Sequence, residues 1–278
     1  MPRRLRGENP SKSLPPRLRP AAVITQADLK RYRALQQKKF RGESRRYLVQ
    51  GRKVVAELLE STTRVEVLLA SEPAAEHIKP LATAKRVPVQ ILASHELDKI
   101  GTFEKGNELI AIAVAPDPLP FRAPAGDELM LALDGVRDPR NLGSLVRIAD
   151  WFGAGRLLMS HDCMELHNPK VVQSTMGSLF RVETRYANLA QELAACHAAG
   201  ASIYIADMGG KSIFETEIKR PAVIVLGSES HGHSNATASI GAEVVAIPRF
   251  GKAESLNVAM AASALLTEAS RQLVHARP

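Results

Sequence analysis

Cysteine is almost absent from the 278 residues: Cys163 and Cys196 stand far apart, with no CxxC pair. That argues against a disulfide scaffold and a structural zinc site and fits a reducing, cytoplasmic compartment, so both are expected to be buried thiols. Aromatics are also scarce, with one Trp, four Tyr and seven Phe. Residues 1–115 carry only Tyr32, Phe40, Tyr47 and Phe103, too few for an aromatic platform on which bases stack. No run approaches the roughly 18 consecutive apolar residues of a membrane-spanning helix. No GxGxxG follows a strand, and neither GxxxxGK[ST] nor GxSxG occurs. A dinucleotide-binding Rossmann site, a P-loop and the commonest hydrolase arrangement therefore have no support.

What is present is an ordinary globular composition, 45% hydrophobic and 24% charged, in a chain long enough for two domains. The net charge of +8 is unevenly spread. Residues 1–46 hold fourteen of the 37 Lys and Arg against three of the 29 Asp and Glu, so the remainder is slightly acidic. A localised basic arm is the electrostatic footprint of a nucleic-acid binder, because each phosphate neutralised releases a counterion; a solvated tail that aids solubility has the same composition. Pro10, Pro15, Pro16 and Pro20 break any amphipathic helix of a transit peptide, and no apolar stretch of a secretion signal follows.

Thr25 with Asp28 predicts a capped basic helix to about Lys39. A short strand over 47–50 and β-branched apolar runs over 65–70, 87–92 and 109–114, separated by helical stretches over 52–60, 74–85 and 95–100, describe a small α/β domain ending near Ala115. Four prolines within 116–126 predict a stiff linker. Beyond it the alternation resumes, with strands at 129–133, 156–159, 202–206, 222–226 and 244–247. Helices are expected at 142–152, 169–176, 189–199 and 256–275. The expected domains are an arm (1–24), a first domain (25–115), the linker and a second domain (127–278) with a mostly parallel sheet covered on both faces. Ligands of such sheets bind beyond the carboxyl ends of the strands.

Three polar loops follow such strands. In 134–143, Asn141 is placed as the N-cap of a helix bearing Arg147, and spacing alone pairs Arg147 with Asp150 at i,i+3. In Gly227-Ser-Glu-Ser-His-Gly-His-Ser, Gly227 and Gly232 permit close backbone approach, and Glu229 sits where a carboxylate seldom serves packing. His231 and His233, lacking a third ligand, are weak evidence of a metal, and none is expected. In 247–257, Ser255 or Asn257 should cap the last helix, whose small residues 259–264 suit tight packing or a subunit interface.

Asn141 with Arg147, then Gly227 to Gly232, then Ile247-Pro and Ser255-Leu-Asn257, in this order, resemble the three signature motifs of the SpoU (TrmH-like) RNA 2'-O-ribose methyltransferases. Residues 26–115 look like the L30e-like substrate-binding domain that often precedes that catalytic domain. Glu104 and Lys105 stand there where the family usually has His-Gln, and Gln173 stands where an arginine is common. The resemblance implies a trefoil-knotted, SPOUT-type α/β fold, S-adenosylmethionine as cofactor, and a homodimer. It implies that Gly227, Gly232, Ile247 and Leu256 contact the cofactor and that Asn141, Arg147, Glu229, Ser255 and Asn257 form the catalytic constellation. RNA is expected to meet Lys30, Arg31, Lys38, Lys39, Arg41, Arg45 and Arg46. 23S rRNA is favoured over tRNA, and a non-catalytic ribosome-assembly factor is the alternative from another class.

Overall fold

The computed structural model describes residues 24–227 and 241–276. The predicted capping box is formed: the Asp28 amide donates to the Thr25 hydroxyl and the Thr25 amide to the Asp28 carboxylate. The helix it starts, α1 (Gln26–Ala34), stops short of the expected Lys39, and a second, α2 (Lys38–Ser44), follows. The break is held from outside. The Gln36 amide donates to the carbonyls of Ile100 and Gly101, each at 2.9 Å, and Arg41 Nη1 donates to those of Leu35 and Gln36 at 2.8 and 2.9 Å.

The first sheet comprises β1 (Arg46–Gln50), β2 (Val65–Ala70), β3 (Val89–Ile91) and β4 (Leu109–Val114) in the order β1-β4-β2-β3. Strand β4 is antiparallel to both neighbours and β3 is parallel to β2. Alternation along the strands fills two cores. Tyr47, Val49 and Ala111 face α3 (Arg52–Glu60) and α4 (Glu72–Lys85), whereas Leu48, Ile110 and Ile112 face α1 and α5 (Ser94–Ile100).

The second sheet is wholly parallel, in the order β10-β8-β9-β5-β6-β7. Its strands are β5 (Leu129–Leu133), β6 (Arg156–Ser160), β7 (Glu183–Ala187), β8 (Ser202–Ser212), β9 (Ala222–Leu226) and β10 (Glu243–Ala246). Leu129, Leu131 and Leu133 point toward α6 (Pro139–Trp151), α7 (Pro169–Ser174) and α9 (Val258–Ala276), while Met130 and Ala132 point toward α8 (Leu189–Ala198). Strand β7 is unanticipated because Glu183-Thr-Arg-Tyr is polar and lies at an edge. Strand β8 outruns its expected end at Ala206, and its register with β10 jumps between Val244, opposite Ile205, and Val245, opposite Lys211. A Cβ at Gly210 would lie 2.6 Å from the Val244 carbonyl carbon, so only glycine admits the β10 backbone here.

The proline-rich connection is packed down rather than free. Phe121 and Ala123 join the α8 side of the sheet, and Arg156 pairs with Glu128 at 2.6 Å while donating to the carbonyls of Arg122 and Ala123. The two sheets also share one buried cluster, which runs from Val49 and Leu58 to Leu145 and Val171. The Tyr47 ring stacks on His167 with centroids 4.3 Å apart. Burial pushes His167 down to about 4, so its ring is neutral at pH 7. Arg41, expected to face RNA, is instead 4% exposed and gripped by Glu165 of the second sheet's layer. Every nitrogen of its guanidinium donates inside the protein, which removes it from an RNA-binding face. No helix among the described residues is long and apolar enough to cross a membrane.

Candidate active site

Because the second sheet is parallel, the loops after β5, β9 and β10 leave at one edge. Leu133 of β5 registers with Leu226 of β9, and the Asp134 amide donates to the Leu226 carbonyl at 2.9 Å, so Gly227 follows directly beside the Asp134 loop. That loop is pinned to the turn after β6. The Gly135 amide donates to Ser160 Oγ at 2.9 Å, the Val136 amide to Cys163 Sγ at 3.3 Å, and the Cys163 thiol to the Leu133 carbonyl at 3.3 Å. Burial pushes the Cys163 thiol up, which keeps the proton it donates. Both cysteines are buried and free, as expected.

Asn141 does not cap its helix. Asp138 does, accepting from the amides of Arg140 and Asn141 at 2.8 and 2.9 Å, with Pro139 at the first helical position. The sequence already carries this Asp-Pro start, and taking it as the cap places Asn141 one turn inside α6, where its side chain is released from capping. Its carbonyl oxygen accepts from Asn257 Nδ2 at 2.9 Å. Asn257 is the cap of α9: its Oδ1 accepts from the amides of Ala259 and Met260 at 3.0 and 3.4 Å. One amide side chain therefore fixes the start of α9 and ties it to the start of α6, joining two loops that are more than a hundred residues apart in the chain.

Arg147 lies on α6 about 9 Å beyond Asn141. It is exposed and has no hydrogen-bond or ion-pair partner among the described residues. The pairing with Asp150 that spacing suggests is not made, because Asp150 is held by Arg181. Gly227 and Ile247 are half-buried at the ends of β9 and β10, Ser255 is exposed, and Leu256 is 52% exposed. Glu229 and Gly232, with His231 and His233, lie outside the described residues.

Among the basic residues, Lys30 and Lys38 are exposed, and Lys39 stands 4.0 Å from Glu43. Arg31 bridges Asp28 and Glu66, Arg45 reaches Asp117, and Arg46 pairs with Glu66. Gln173 is half-buried on α7, with its Oε1 unpartnered among the described residues. Sequence reasoning missed Asp138, which the Asp-Pro pair signals, and Arg181, whose partners are remote in the chain and leave no local signal.

The parallel sheet and the Asn141–Asn257 tie thus bring the loops after β5 and β10 together at one edge. Residues 128–267, just over half the chain, match the SpoU rRNA methylase family, and residues 26–111 match the MRM3-like substrate-binding domain. The chain belongs to the SpoU rRNA methylase family. It is 33% identical to a 23S rRNA uridine 2'-O-methyltransferase of Streptomyces viridochromogenes over 61% of this chain and 62% of that one. The structure of the SpoU methyltransferase AviRb from S. viridochromogenes, in complex with AdoMet, covers 91% of this chain and 100% of its own, with a TM-score of 0.79 and 28% identity. An AdoMet-bound rRNA methyltransferase from Sinorhizobium meliloti gives 0.81 and 28%, covering 90% of this chain and 97% of its own.

Proposed function

We propose that this protein transfers the methyl group of S-adenosylmethionine to a ribose 2'-oxygen of RNA, with 23S rRNA as the substrate. The observation that carries the reading is the Asn257–Asn141 hydrogen bond, which joins the first and third signature loops on the helix that also presents Arg147, exposed and without a partner among the described residues. The names of the relatives, which are 23S rRNA 2'-O-methyltransferases, support it.

The strand-end edge suits the cofactor. Gly227 and Ile247 bring backbone and an apolar surface to the ends of β9 and β10, and Leu256 adds an exposed apolar side chain from the loop before α9. These three, with Gly232, would hold S-adenosylmethionine. When bound, it supplies an electrophilic methyl group on a sulfonium.

The protein's own residues must fix the hydroxyl in line and relieve the developing alkoxide charge. Arg147 cannot take the proton, because a guanidinium stays protonated. It holds the neighbouring phosphate and stabilises the alkoxide, and the proton leaves to a phosphate oxygen or to water. Asn141 and Ser255 position the ribose and the loop, and Glu229 orients them.

Residues 127–278 form the knotted catalytic domain and 25–115, with the arm 1–24, the RNA-recognising part, where Lys30, Lys38, Lys39 and the exposed arginines read backbone and shape. A second copy completes the assembly. Phe250 is 93% exposed and Met260 67%, an apolar surface on the loop and first turn of α9 suited to a partner subunit. Two free, buried thiols suit a reducing compartment, and the cytoplasm is the compartment proposed.

The test is incubation of the purified protein with labelled S-adenosylmethionine and either rRNA or tRNA, with cofactor binding measured calorimetrically. Label in alkali-resistant rRNA dinucleotides is expected. Label in tRNA alone selects the tRNA enzyme, and RNA binding without cofactor binding selects the assembly factor.

A further inference from the structure

Arg181 stands just before β7, far in sequence from every signature motif, yet it meets the catalytic helix. Its Nε and Nη2 both donate to Asp150 Oδ2, at 2.9 and 2.8 Å, a forked grip on the carboxylate. Its remaining branch, Nη1, donates to Glu57 of α3 in the first domain. Glu57 reaches this point because residue 177 is glycine: a Cβ there would lie 2.7 Å from Glu57 Cγ, and the backbone stands at φ +100°. One guanidinium thus joins α3, α6 and the approach to β7.

Asp150 is three residues beyond Arg147, where a free carboxylate and an arginine attract each other on a helix surface. Burial raises the Asp150 carboxyl, but the hydrogen bonds from Arg181 and Ser178 and the charge of Arg181 outweigh it and hold the group below its ordinary value, so it is fully ionised at neutral pH. An ionised Asp150 without Arg181 would draw Arg147 back along the helix and away from phosphate. With Arg181 in place, the carboxylate is already engaged.

We infer that Arg181 is a positioning residue: by occupying Asp150 it keeps Arg147 free for RNA, and by holding Glu57 it couples the RNA-recognising domain to the catalytic helix. The inference rests on the reading of Arg147 as the residue that meets the RNA backbone. It predicts two separable effects, one on turnover through Asp150 and one on RNA affinity through Glu57.

The test is a double-mutant cycle read as kcat and RNA KM separately. Arg181→Met is expected to lower kcat about 1.5- to twofold, the scale of a helix-surface pair, and to raise the RNA KM. Asp150→Asn alone should leave kcat near wild type. Adding Asp150→Asn to Arg181→Met should restore kcat while the KM stays raised, because the Glu57 tie is still missing. A merely structural Arg181 would show no such rescue. A double variant no faster than Arg181→Met, or Asp150→Asn as slow as Arg181→Met, overturns the inference.

The 15Nε–H resonance of Arg147 follows the same switch without turnover. It should shift in Arg181→Met and return in the double variant, and a resonance unmoved by Arg181→Met overturns the inference. If it moves as described in a protein that transfers no methyl group, the positioning role holds and the proposed reaction falls.

Discussion

Arg147→Lys keeps the charge and discards the planar fork. If the guanidinium both grips phosphate and stabilises the alkoxide, kcat should fall about tenfold or more with the melting temperature unchanged, and near-normal turnover would sink that role. Asn257 separates two duties that a simple deletion confuses. Asn257→Asp keeps an oxygen to cap α9, and a negative charge suits a helix N-terminus, so chemical denaturation should show little loss of stability. It removes the donor to Asn141 Oδ1, so methyl transfer should fall sharply. Asn257→Ala should lose the cap as well, at a cost of about 1 kcal/mol. Equal activity in Asn257→Asp and wild type would show that the tie between the loops does not matter. At this scale the sequence is a partial guide. Residue types and their order point to Asn141, Arg147 and Asn257, but spacing puts the α6 cap on Asn141 instead of Asp138, and Arg181 leaves no trace because its partners are tertiary.

Helix α9 is held to the segment that leads into β9 by a small polar staple. Glu268 pairs with Arg271 at 2.7 Å and accepts from Gln272 at 2.9 Å, while Gln272 also donates to the Thr216 carbonyl at 2.9 Å and accepts from the Ile218 amide at 2.8 Å. The Arg271 hydrogen bonds, then that from Gln272, hold the Glu268 carboxyl down at about 2. A depressed carboxylate contributes stability that is full above its unfolded value near 4.3 and is lost as pH falls toward about 2. With Arg271 half exposed, solvent screening keeps that contribution small. Urea unfolding of wild type and Glu268→Gln should therefore differ at pH 7 and converge between about pH 5 and 2; a constant difference would contradict the account. The elements themselves divide by chemistry. The spans 52–60, 65–70, 109–114, 129–133 and 222–226 were legible to the residue, because an amphipathic helix and near-continuous apolar strands have few alternative readings. Strand β7 and the outer half of β8 were not, since Glu183-Thr-Arg is polar, Asp207 to Ser212 is polar and glycine-rich with one apolar residue, Met208, and both gain their pairing only from neighbouring strands.

Over the whole molecule, charge and packing serve different ends. The sequence shows the basic excess at the N-terminus but not that Arg41 would be drawn inward to lock the two sheets together, because its partner Glu165 is remote in the chain. The proline-rich segment likewise reads as a spacer, while the continuous core and the Tyr47–His167 stack make the two sheets one packed body. By sequence, residues 1–24 carry six Lys and Arg against one acidic residue. Deleting residues 1–24 should weaken RNA binding and flatten its dependence on salt, by roughly 0.7–0.9 in slope for each phosphate that is no longer neutralised, and an unchanged slope would refute an electrostatic role for the arm. The central claim, transfer to one ribose, is tested most directly in RNA from a strain in which the gene is disrupted. Sequencing by resistance to alkaline cleavage should show a single 2'-O-methyl group missing from 23S rRNA, restored by the purified protein with S-adenosylmethionine and not by Arg147→Ala. An unaltered 23S rRNA methylation pattern would contradict the account.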